Sequence, residues 1–353
     1  MSRPRPDPRP EIAALRPYRP SAQVPPVRLH ANESPLPPPK DVLDEVLDAI
    51  AGIELNRYPD PEALELRYEL AAYTGLERDW IWTGTGSNEI LLNACLAYGG
   101  AGRTALLFAP TYAMHRLQAT VAGMRIETVP RRDNFLLDLE ASLEAIDRLR
   151  PEIVFVCTPD NPTGAITFPE DIAALAHAAP GLVVVDEAYY EFAGVTFTDH
   201  LQEFGNVIVV RTLSKAFGLA GARIGYALAQ PDTLAPLLAV RMPYGLSALA
   251  QVTGVTVLRH RERLLENVQL LVTERDRLIA ELESMDGITA YPSLANFVLF
   301  RAPDADAVVS GLAARGIAVR DMTHIEGGDG CVRVTAGMPE QNDAFLAGLR
   351  ELV

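Results

Sequence analysis

Short apolar runs alternate with longer amphipathic segments through the middle of the chain. The runs at residues 153–157 and 182–185 are continuous and rich in valine, which is typical of strands buried on both faces of a parallel sheet. Between such runs, apolar residues recur at helical spacing. The pattern predicts an α/β fold in which helices flank a mainly parallel sheet, with strands at 104–108, 126–129, 153–157, 182–185 and 207–210 and helices at 111–122, 139–149 and 169–179.

The two ends of the chain follow other patterns. Residues 1–40 are dense in proline, which favours an extended arm, and helical spacing follows at 41–50 and 61–75. The chain is largely helical from 231 to 282, and a smaller α+β region follows, with strands at 295–300, 317–320 and 331–335 and helices at 305–315 and 339–352. We therefore predict an arm at 1–40 that joins the small domain, a large domain at 41–260 and a small C-terminal domain at 261–353.

Composition excludes several classes of partner. The formal net charge of -15 argues against nucleic acid or an anionic membrane, so local arginines must hold any anionic ligand. No stretch approaches the roughly 18 to 20 apolar residues of a membrane span, and the N-terminus lacks an apolar signal region. Three cysteines without a Cys-x-x-Cys pair indicate neither a disulfide framework nor a metal site. We expect a soluble, cytoplasmic protein.

One lysine lies among hydroxyls and small residues at 211–225, directly after the apolar run at 207–210. The short side chains around Lys215 leave room for a bulky group, while Ser214 and Arg223 supply donors that suit a phosphate or a carboxylate. This combination suggests a lysine that forms a Schiff base with an anionic cofactor. The alternative is a strand end with an incidental lysine.

A glycine-rich turn leads from the short strand that begins at Ile81 into a helix that Ser87 or Asn88 would cap. Free N–H groups at such a helix start, with the helix dipole behind them, form a phosphate site. The turn is neither a Walker sequence nor GxGxxG, which disfavours a nucleotide-binding Rossmann enzyme. Phosphate binding and an ordinary capped helix both fit this stretch.

Polar side chains cluster where the predicted strands end. Tyr112 follows the first of these strands, and the sequences Asp-Asn-Pro-Thr-Gly at 160–164, Asp-Glu-Ala-Tyr at 186–189 and Ser-Lys at 214–215 follow three others. Ligands of parallel α/β sheets bind outside the carboxyl ends of the strands. One shared crevice therefore explains all of these clusters, which makes it the best candidate for a functional site.

Three residues outside those strand ends are further candidates. Asn32, within the arm, could reach the crevice or build a turn. Tyr58 lies on a loop, where it could contact a ligand, contact a partner subunit or simply pack. Arg333 lies in an alternating strand, and burying it requires an anionic partner, either a substrate or a structural carboxylate.

Taken together, these motifs resemble those of the fold-type I aminotransferases that use pyridoxal 5'-phosphate. The most specific are Asn-Pro-Thr-Gly at 161–164, Asp-Glu-Ala-Tyr at 186–189 and Ser-Lys-Ala-Phe at 214–217, in this order. The likeness extends over nearly the whole chain, through Leu-His-Ala-Asn-Glu at 29–33, Arg-Tyr-Pro-Asp at 57–60, Gly-Ser-Asn-Glu at 86–89 and Cys-Val-Arg at 331–333. The resemblance implies the fold of that family, its cofactor and a homodimer with shared active sites.

The resemblance also implies a role for individual residues. Lys215 would bind the cofactor covalently and then move the proton, Asp186 would pair with the pyridinium nitrogen, and Tyr189 would donate to the ring oxygen. Tyr112 would stack on the ring, and Tyr58 would enter the neighbouring subunit's phosphate site. The remaining implied cofactor-binding residues are Ser87, Asn88, Glu89, Asn161, Thr212, Ser214 and Arg223, and the implied substrate-binding residues are Arg333, Arg320, Asn32 and Tyr18.

Within that family, the chain is most similar to members that act on histidinol phosphate. This implies amino-group transfer between L-histidinol phosphate and 2-oxoglutarate, a step of histidine biosynthesis that gives imidazole acetol phosphate and L-glutamate. An aromatic or broad-range amino acid aminotransferase is the nearest alternative, followed by a threonine-phosphate decarboxylase and a non-catalytic sensor domain that binds pyridoxal phosphate. Two departures bear on substrate preference: Asn88 stands where members often have aspartate, and the arm is unusually rich in proline.

Overall fold

A computed structural model describes residues 6–17 and 25–353 of the chain, so Tyr18 lies outside the described residues. The helices are α1 (Pro10–Ala13), α2 (Lys40–Ala51), α3 (Leu64–Thr74), α4 (Ser87–Tyr98), α5 (Ala113–Val121), α6 (Leu139–Leu149), α7 (Pro169–Ala178), α8 (Tyr190–Ala193), α9 (Pro231–Val240), α10 (Ala248–Arg259), α11 (Arg261–Glu283), α12 (Ala305–Ala314) and α13 (Pro339–Arg350). Short 3-10 helices lie at Arg78–Trp80, Thr198–His200 and Ala220–Ala222.

The strands form three sheets. They are β1 (Val27–Arg28), β2 (Ile81–Thr85), β3 (Thr104–Ala109), β4 (Arg125–Pro130), β5 (Ile153–Cys157), β6 (Leu182–Asp186), β7 (Val207–Thr212), β8 (Ile224–Leu228), β9 (Thr289–Ala290), β10 (Phe297–Arg301), β11 (Ile317–Ala318), β12 (Arg320–Asp321) and β13 (Cys331–Thr335). The central sheet has seven strands in the order β2-β8-β7-β6-β5-β3-β4, and a four-stranded sheet has the order β12-β13-β10-β9. β1 and β11 form a separate parallel pair.

The central sheet confirms the predicted α/β class. Its pairs from β4 to β7 are all parallel, whereas β8 runs antiparallel to both β7 and β2. The predicted strands lie within one or two residues of the observed ones. β8 was not predicted, because Gly225 and the glycine-rich sequence before it obscure its apolar pattern.

Both faces of this sheet are covered, which explains its continuous apolar strands. In β5, Val154 and Val156 belong to one hydrophobic core while Ile153 and Phe155 belong to the core on the opposite face. Successive side chains in a strand point to opposite faces, so a strand between two helical layers must be apolar at every position. Each such buried side chain contributes roughly 1.5–3 kcal/mol of transfer free energy.

A second core lies around the four-stranded sheet. Helix α11 is 23 residues long and serves both regions, since Leu264 and Leu271 join the core of the central sheet and Leu278 and Leu282 join the second core. Leu29 of the arm is buried in that second core, directly after β1. The arm is therefore attached to the C-terminal region, although the domain limits at residues 40 and 260 remain predictions.

The segment predicted as one strand at 317–320 proved to be two. Residues 317–318 pair with the arm, while 320–321 pair with β13 in the four-stranded sheet. Val319 lies between them and is buried. The chain changes sheet at this point, and an apolar pattern of four residues carries no signal of such a change. Among residues 6–17 and 25–353, no helix is both long and apolar enough to cross a membrane.

Candidate active site

Lys215 lies three residues after β7 ends, at the carboxyl edge of the central sheet. Its Nζ donates to the Ala31 carbonyl at 3.3 Å and lies 5.9 Å from the centre of the Tyr189 ring. Burial and the nearby guanidinium of Arg333 lower the pKa of Lys215 to about 8. A substantial fraction of this amine is therefore neutral near pH 8, which a nucleophile or a proton carrier requires.

Asp186 closes β6 and is buried beside a histidine. His115 Nε2 lies 3.0 Å from Asp186 Oδ2, and the Ala188 N–H donates to Asp186 Oδ1 at 3.2 Å. The His115 ring stacks on Phe155 at 4.8 Å. The structure thus holds a desolvated carboxylate in one orientation, where it can pair with a positively charged ring nitrogen.

Tyr189 is buried, and its hydroxyl accepts hydrogen bonds from two amides. Asn32 Nδ2 donates to it at 2.9 Å and Asn161 Nδ2 at 3.2 Å. Burial raises the pKa of Tyr189, which keeps its own proton available for donation. Asn32 comes from the arm, and its positive φ of 53° turns the chain so that its side chain enters the crevice.

Arg333 joins the C-terminal region to the central sheet. Its Nη1 donates to Asn161 Oδ1 at 2.5 Å and its Nη2 donates to the His30 carbonyl at 2.9 Å. Arg320 is its register partner on the neighbouring strand, so both arginines emerge on the same face of the small sheet. Two guanidinium groups on one face, of which that of Arg333 acts on Lys215, form a basic region in an acidic protein.

A second basic region lies at the start of α4. Gly86 occupies the N-cap position with φ 72°, and no side chain caps this helix among the described residues. The Tyr112 hydroxyl donates to Asn88 Oδ1 at 3.3 Å, and burial raises the pKa of Tyr112 to about 12. The first turn of this 12-residue helix, whose N–H groups no described side chain caps, therefore lies beside the tyrosine that precedes α5.

Hydroxyls and one arginine complete this second basic region. Thr212 Oγ1 donates to Ser214 Oγ at 2.8 Å and accepts from the Ser214 N–H at 3.1 Å. The Gly86 N–H donates to the Arg223 carbonyl at 2.9 Å. A Cβ on Gly86 would lie 2.5 Å from Arg223 Nη2, so only glycine lets this guanidinium approach the helix start.

Two predicted site residues make their observed contacts with residues outside this cluster of side chains. Glu89 accepts a hydrogen bond from the Thr85 N–H at 2.5 Å, so its carboxylate braces the turn, and its predicted contact with the cofactor remains a prediction. Tyr58 is 80% exposed and stacks on Tyr244, with ring centroids 4.5 Å apart. Tyr18 lies outside the described residues.

Sequence reasoning missed two residues that support the site. His115 is a single histidine in an amphipathic helix, and only its position three residues after Tyr112 could have suggested a common face. Arg131 forms a buried ion pair with Asp160, with Nη2 and Oδ1 3.1 Å apart, and also donates to the Pro110 carbonyl at 3.0 Å. It thereby fixes the loop that carries Asn161.

The donor set fits pyridoxal 5'-phosphate at both ends. Uncapped N–H groups, Ser214 and Arg223 suit its phosphate, and the lack of a side chain at Gly86 lets the Arg223 guanidinium approach the helix start. Lys215 suits its aldehyde, and the buried carboxylate of Asp186 suits its ring nitrogen. The buried Nδ1 of His115 has no hydrogen-bond partner in the described part of the chain. The imidazole of His115 is therefore held by its stack on Phe155 and by its Nε2 contact with Asp186.

Comparison with known sequences identifies the family of this chain. A family profile described as "Aminotransferase class I and II" matches residues 24–349. The histidinol-phosphate aminotransferase of Thermoanaerobacter pseudethanolicus is 41% identical over 326 residues, covering 92% of this chain and 93% of that protein. The histidinol-phosphate aminotransferase of Corynebacterium glutamicum (strain R) is 43% identical over 338 residues, covering 93% of this chain and 91% of that protein.

The fold has close counterparts among solved structures. The histidinol-phosphate aminotransferase of Sinorhizobium meliloti, solved in complex with pyridoxal-5'-phosphate, superposes with a TM-score of 0.89 at 30% sequence identity. The superposition covers 98% of this chain and 96% of that one. The similarity therefore includes the C-terminal region as well as the central sheet.

Proposed function

Because the chain belongs to the class I and II aminotransferases, and is an enzyme that uses pyridoxal 5'-phosphate, we propose that its substrates are L-histidinol phosphate and 2-oxoglutarate. The products are imidazole acetol phosphate and L-glutamate, a reaction of histidine biosynthesis. The amino group passes through the enzyme in two half-reactions. One anion site must then accept a phosphate in one half-reaction and a carboxylate in the other.

The observation that carries this proposal is the pairing of Arg320 and Arg333. They are register partners on adjacent strands, and Arg333 Nη1 also contacts Asn161 in the crevice. Arginine binds phosphate and carboxylate through the same planar fork of donors. The two side chains therefore suit either anion, while the amine of Lys215 lies on the same side of the crevice.

Each polar residue then has a task. Bound pyridoxal phosphate supplies a ring that accepts the electron pair released at the substrate α carbon. Asp186, in an orientation fixed by His115, would pair with the ring nitrogen of that group. Lys215 Nζ, whose pKa is lowered to about 8, can take the proton from the substrate α carbon as a neutral amine and would deliver it to the cofactor carbon that bore the aldehyde.

Tyr189 and the two asparagines control the opposite side of the site. Asn161 links the Tyr189 hydroxyl to Arg333, with contacts of 3.2 and 2.5 Å, so the residue next to the cofactor is coupled to the residue that holds substrate. Binding of the substrate anion at Arg333 thereby bears on the position of Asn161. This coupling favours a reactive geometry only when an anionic substrate is bound.

We also propose that two chains form a homodimer with shared active sites. Tyr58 is 80% exposed and is held flat against Tyr244, so it is presented outward for a partner's phosphate site. The large domain (41–260) would carry the cofactor, and the small domain (261–353), with the arm (1–40), would carry the substrate arginines. A cytoplasmic location agrees with three free, buried cysteines.

A half-reaction screen tests the substrate. Enzyme loaded with cofactor is mixed with L-histidinol phosphate, L-phenylalanine, L-aspartate or O-phospho-L-threonine, and the absorbance of the bound cofactor is followed. We expect histidinol phosphate to convert the cofactor with the highest kcat/KM. No conversion by histidinol phosphate, or faster conversion by phenylalanine, would contradict the proposal, and carbon dioxide release from phosphothreonine would indicate a decarboxylase.

A further inference from the structure

His30 lies on the same face of the small domain as the substrate arginines. Its neighbour Leu29 is buried in the core of that domain, and side chains of an extended segment alternate between faces. His30 and Arg28 therefore face away from that core. The His30 carbonyl accepts a hydrogen bond from Arg333 Nη2 at 2.9 Å, which fixes the histidine beside the anion site.

The charges around His30 are mostly positive. Arg28 ends β1 two residues before His30, Arg320 comes from β12 and Arg333 from β13, while the carboxylate of Glu33 in the following loop acts in the opposite sense. Burial, followed by the three arginines, lowers the pKa of His30 although Glu33 opposes the shift. The ring is therefore mainly neutral near pH 7 before an anion binds.

One ring nitrogen of His30 lacks a hydrogen-bond partner among the described residues. The side chain is half-buried, and its Nδ1 is buried with no hydrogen-bond partner within residues 6–17 and 25–353. A buried nitrogen without a partner costs free energy unless something arrives to use it. A substrate phosphate held by Arg320 and Arg333 would bring acceptor oxygens to the same face.

We propose that His30 is a third anion-binding residue of this site, which takes up one proton when the phosphate of the substrate binds at Arg320 and Arg333. This inference rests on the proposed function. The proton comes from solvent and is held by the imidazole, so no covalent bond forms or breaks. Protonated His30 then donates to phosphate, and the site gains one donor that a smaller, singly charged carboxylate uses less well.

The sign of the effect follows from the neighbouring charges. A phosphate dianion offsets the positive charge of the two arginines and adds negative charge, so it raises the pKa of His30. Binding is then accompanied by proton uptake between the pKa values of the free and the bound state. Affinity for histidinol phosphate should fall as pH rises from 6.5 to 8.5. The charge of the phosphate does not cause this fall, because the phosphate stays mainly dianionic over that range.

Isothermal titration measures this uptake directly. Holoenzyme carrying the pyridoxamine form of the cofactor, which binds histidinol phosphate without reacting, is titrated at pH 7 in buffers of different ionisation enthalpy. We expect wild type to take up about half a proton or more beyond the contribution of the substrate's own phosphate, imidazole and amine, which His30→Asn measures in the same buffers. His30→Asn should lose this increment, and its KM for histidinol phosphate should rise about tenfold, with kcat within about twofold and a smaller rise in KM for glutamate.

Two further variants separate binding from mere structure. His30→Asn and His30→Gln both carry a neutral amide donor, but the longer glutamine places it farther from the backbone, so His30→Gln should recover part of the KM but none of the proton uptake. His177→Asn removes an exposed histidine from α7 and should match wild type in both measurements. Proton uptake or a pH profile of KM that is the same in wild type, His30→Asn and His30→Gln overturns the inference.

The outcome also separates this inference from the proposed function. A wild type that does not convert histidinol phosphate refutes the function, whatever the variants do. A wild type that converts it, with variants that behave identically, refutes only the role of His30. Cofactor content and the thermal midpoint of each variant show that a change in KM arises in a folded, loaded enzyme.

Discussion

His115 Nε2 lies 3.0 Å from Asp186 Oδ2, and both side chains are withdrawn from solvent. The contact matters because a buried carboxylate with few donors can rotate or attract water. Phe155 stacks on the other side of the imidazole, so the ring cannot swing away. Asp186 lies at the end of β6, but its orientation is therefore set by a residue of another element, the helix α5.

Replacing His115 should reduce catalysis without unfolding the protein. His115→Phe keeps the stack on Phe155 but removes the donor to Asp186, and we expect kcat to fall by about 10- to 100-fold because the carboxylate loses its fixed position. Cofactor should also dissociate faster, which gel filtration followed by absorbance measures. His177→Phe, at an exposed position, serves as the control. A His115→Phe enzyme with normal kcat and normal cofactor retention would show that Asp186 needs no such partner.

The chain contains two lysines, which allows a clean test of the amine. Lys40 is 86% exposed at its side chain and pairs with Asp44, whereas Lys215 lies in the crevice. Borohydride reduction of the loaded enzyme should attach the cofactor to the peptide that contains Lys215 and leave the Lys40 peptide unlabelled. Mass spectrometry of the digest checks this. Label on Lys40 alone would overturn the assignment.

The lowered pKa of Lys215 adds a pH dependence to this test. In cofactor-free Lys40→Arg enzyme with a blocked N-terminus, the rate of amine modification by trinitrobenzenesulfonate should rise with pH and reach its half-maximum near pH 8. The reason is that the neutral amine reacts, and a pKa of about 8 makes half of it neutral there. A half-maximum above pH 10 would mean that burial and Arg333 do not act on this group.

The sequence was most informative where one physical rule dominates. Strands β5 and β6 are buried on both faces, so a continuous apolar run predicted them, and the carboxyl ends of parallel strands then predicted the shared crevice. Contacts that join distant parts of the chain left no such signal. The Arg131–Asp160 pair and the His115–Asp186 contact each depend on how a helix or loop crosses the sheet, which neither motif nor spacing encodes.

Gly86 should be intolerant of even a methyl group. Its φ of 72° strains any other residue, and a Cβ would lie 2.5 Å from Arg223 Nη2. We expect Gly86→Ala to displace Arg223 and to weaken pyridoxal phosphate binding by about tenfold or more, since backbone strain of this kind costs about 1–3 kcal/mol. Fluorescence titration of cofactor-free enzyme measures the change in Kd.

A matched glycine controls for the loss of backbone freedom. Gly221 lies close by in sequence, and an added Cβ there would meet no atom within 4 Å in the described structure. Gly221→Ala should therefore bind cofactor as wild type does. Equal affinities for Gly86→Ala and wild type would show that the approach of Arg223 to the helix start is not required.

Complementation between two inactive variants should reveal a shared active site. In Lys215→Ala the crevice lacks its amine, and in Tyr58→Ala the exposed ring that we propose to enter the partner's site is lost. A mixed dimer contains one site with both residues, because each chain supplies what the other lacks. Co-expression with two different tags and tandem purification isolates that mixed species.

Random pairing makes half of the dimers mixed, and each mixed dimer has one complete site. The unpurified mixture should therefore recover about a quarter of wild-type activity, and the purified mixed dimer about half. If Tyr58 acts within its own chain, the mixed dimer should be no more active than the mean of its two parent variants.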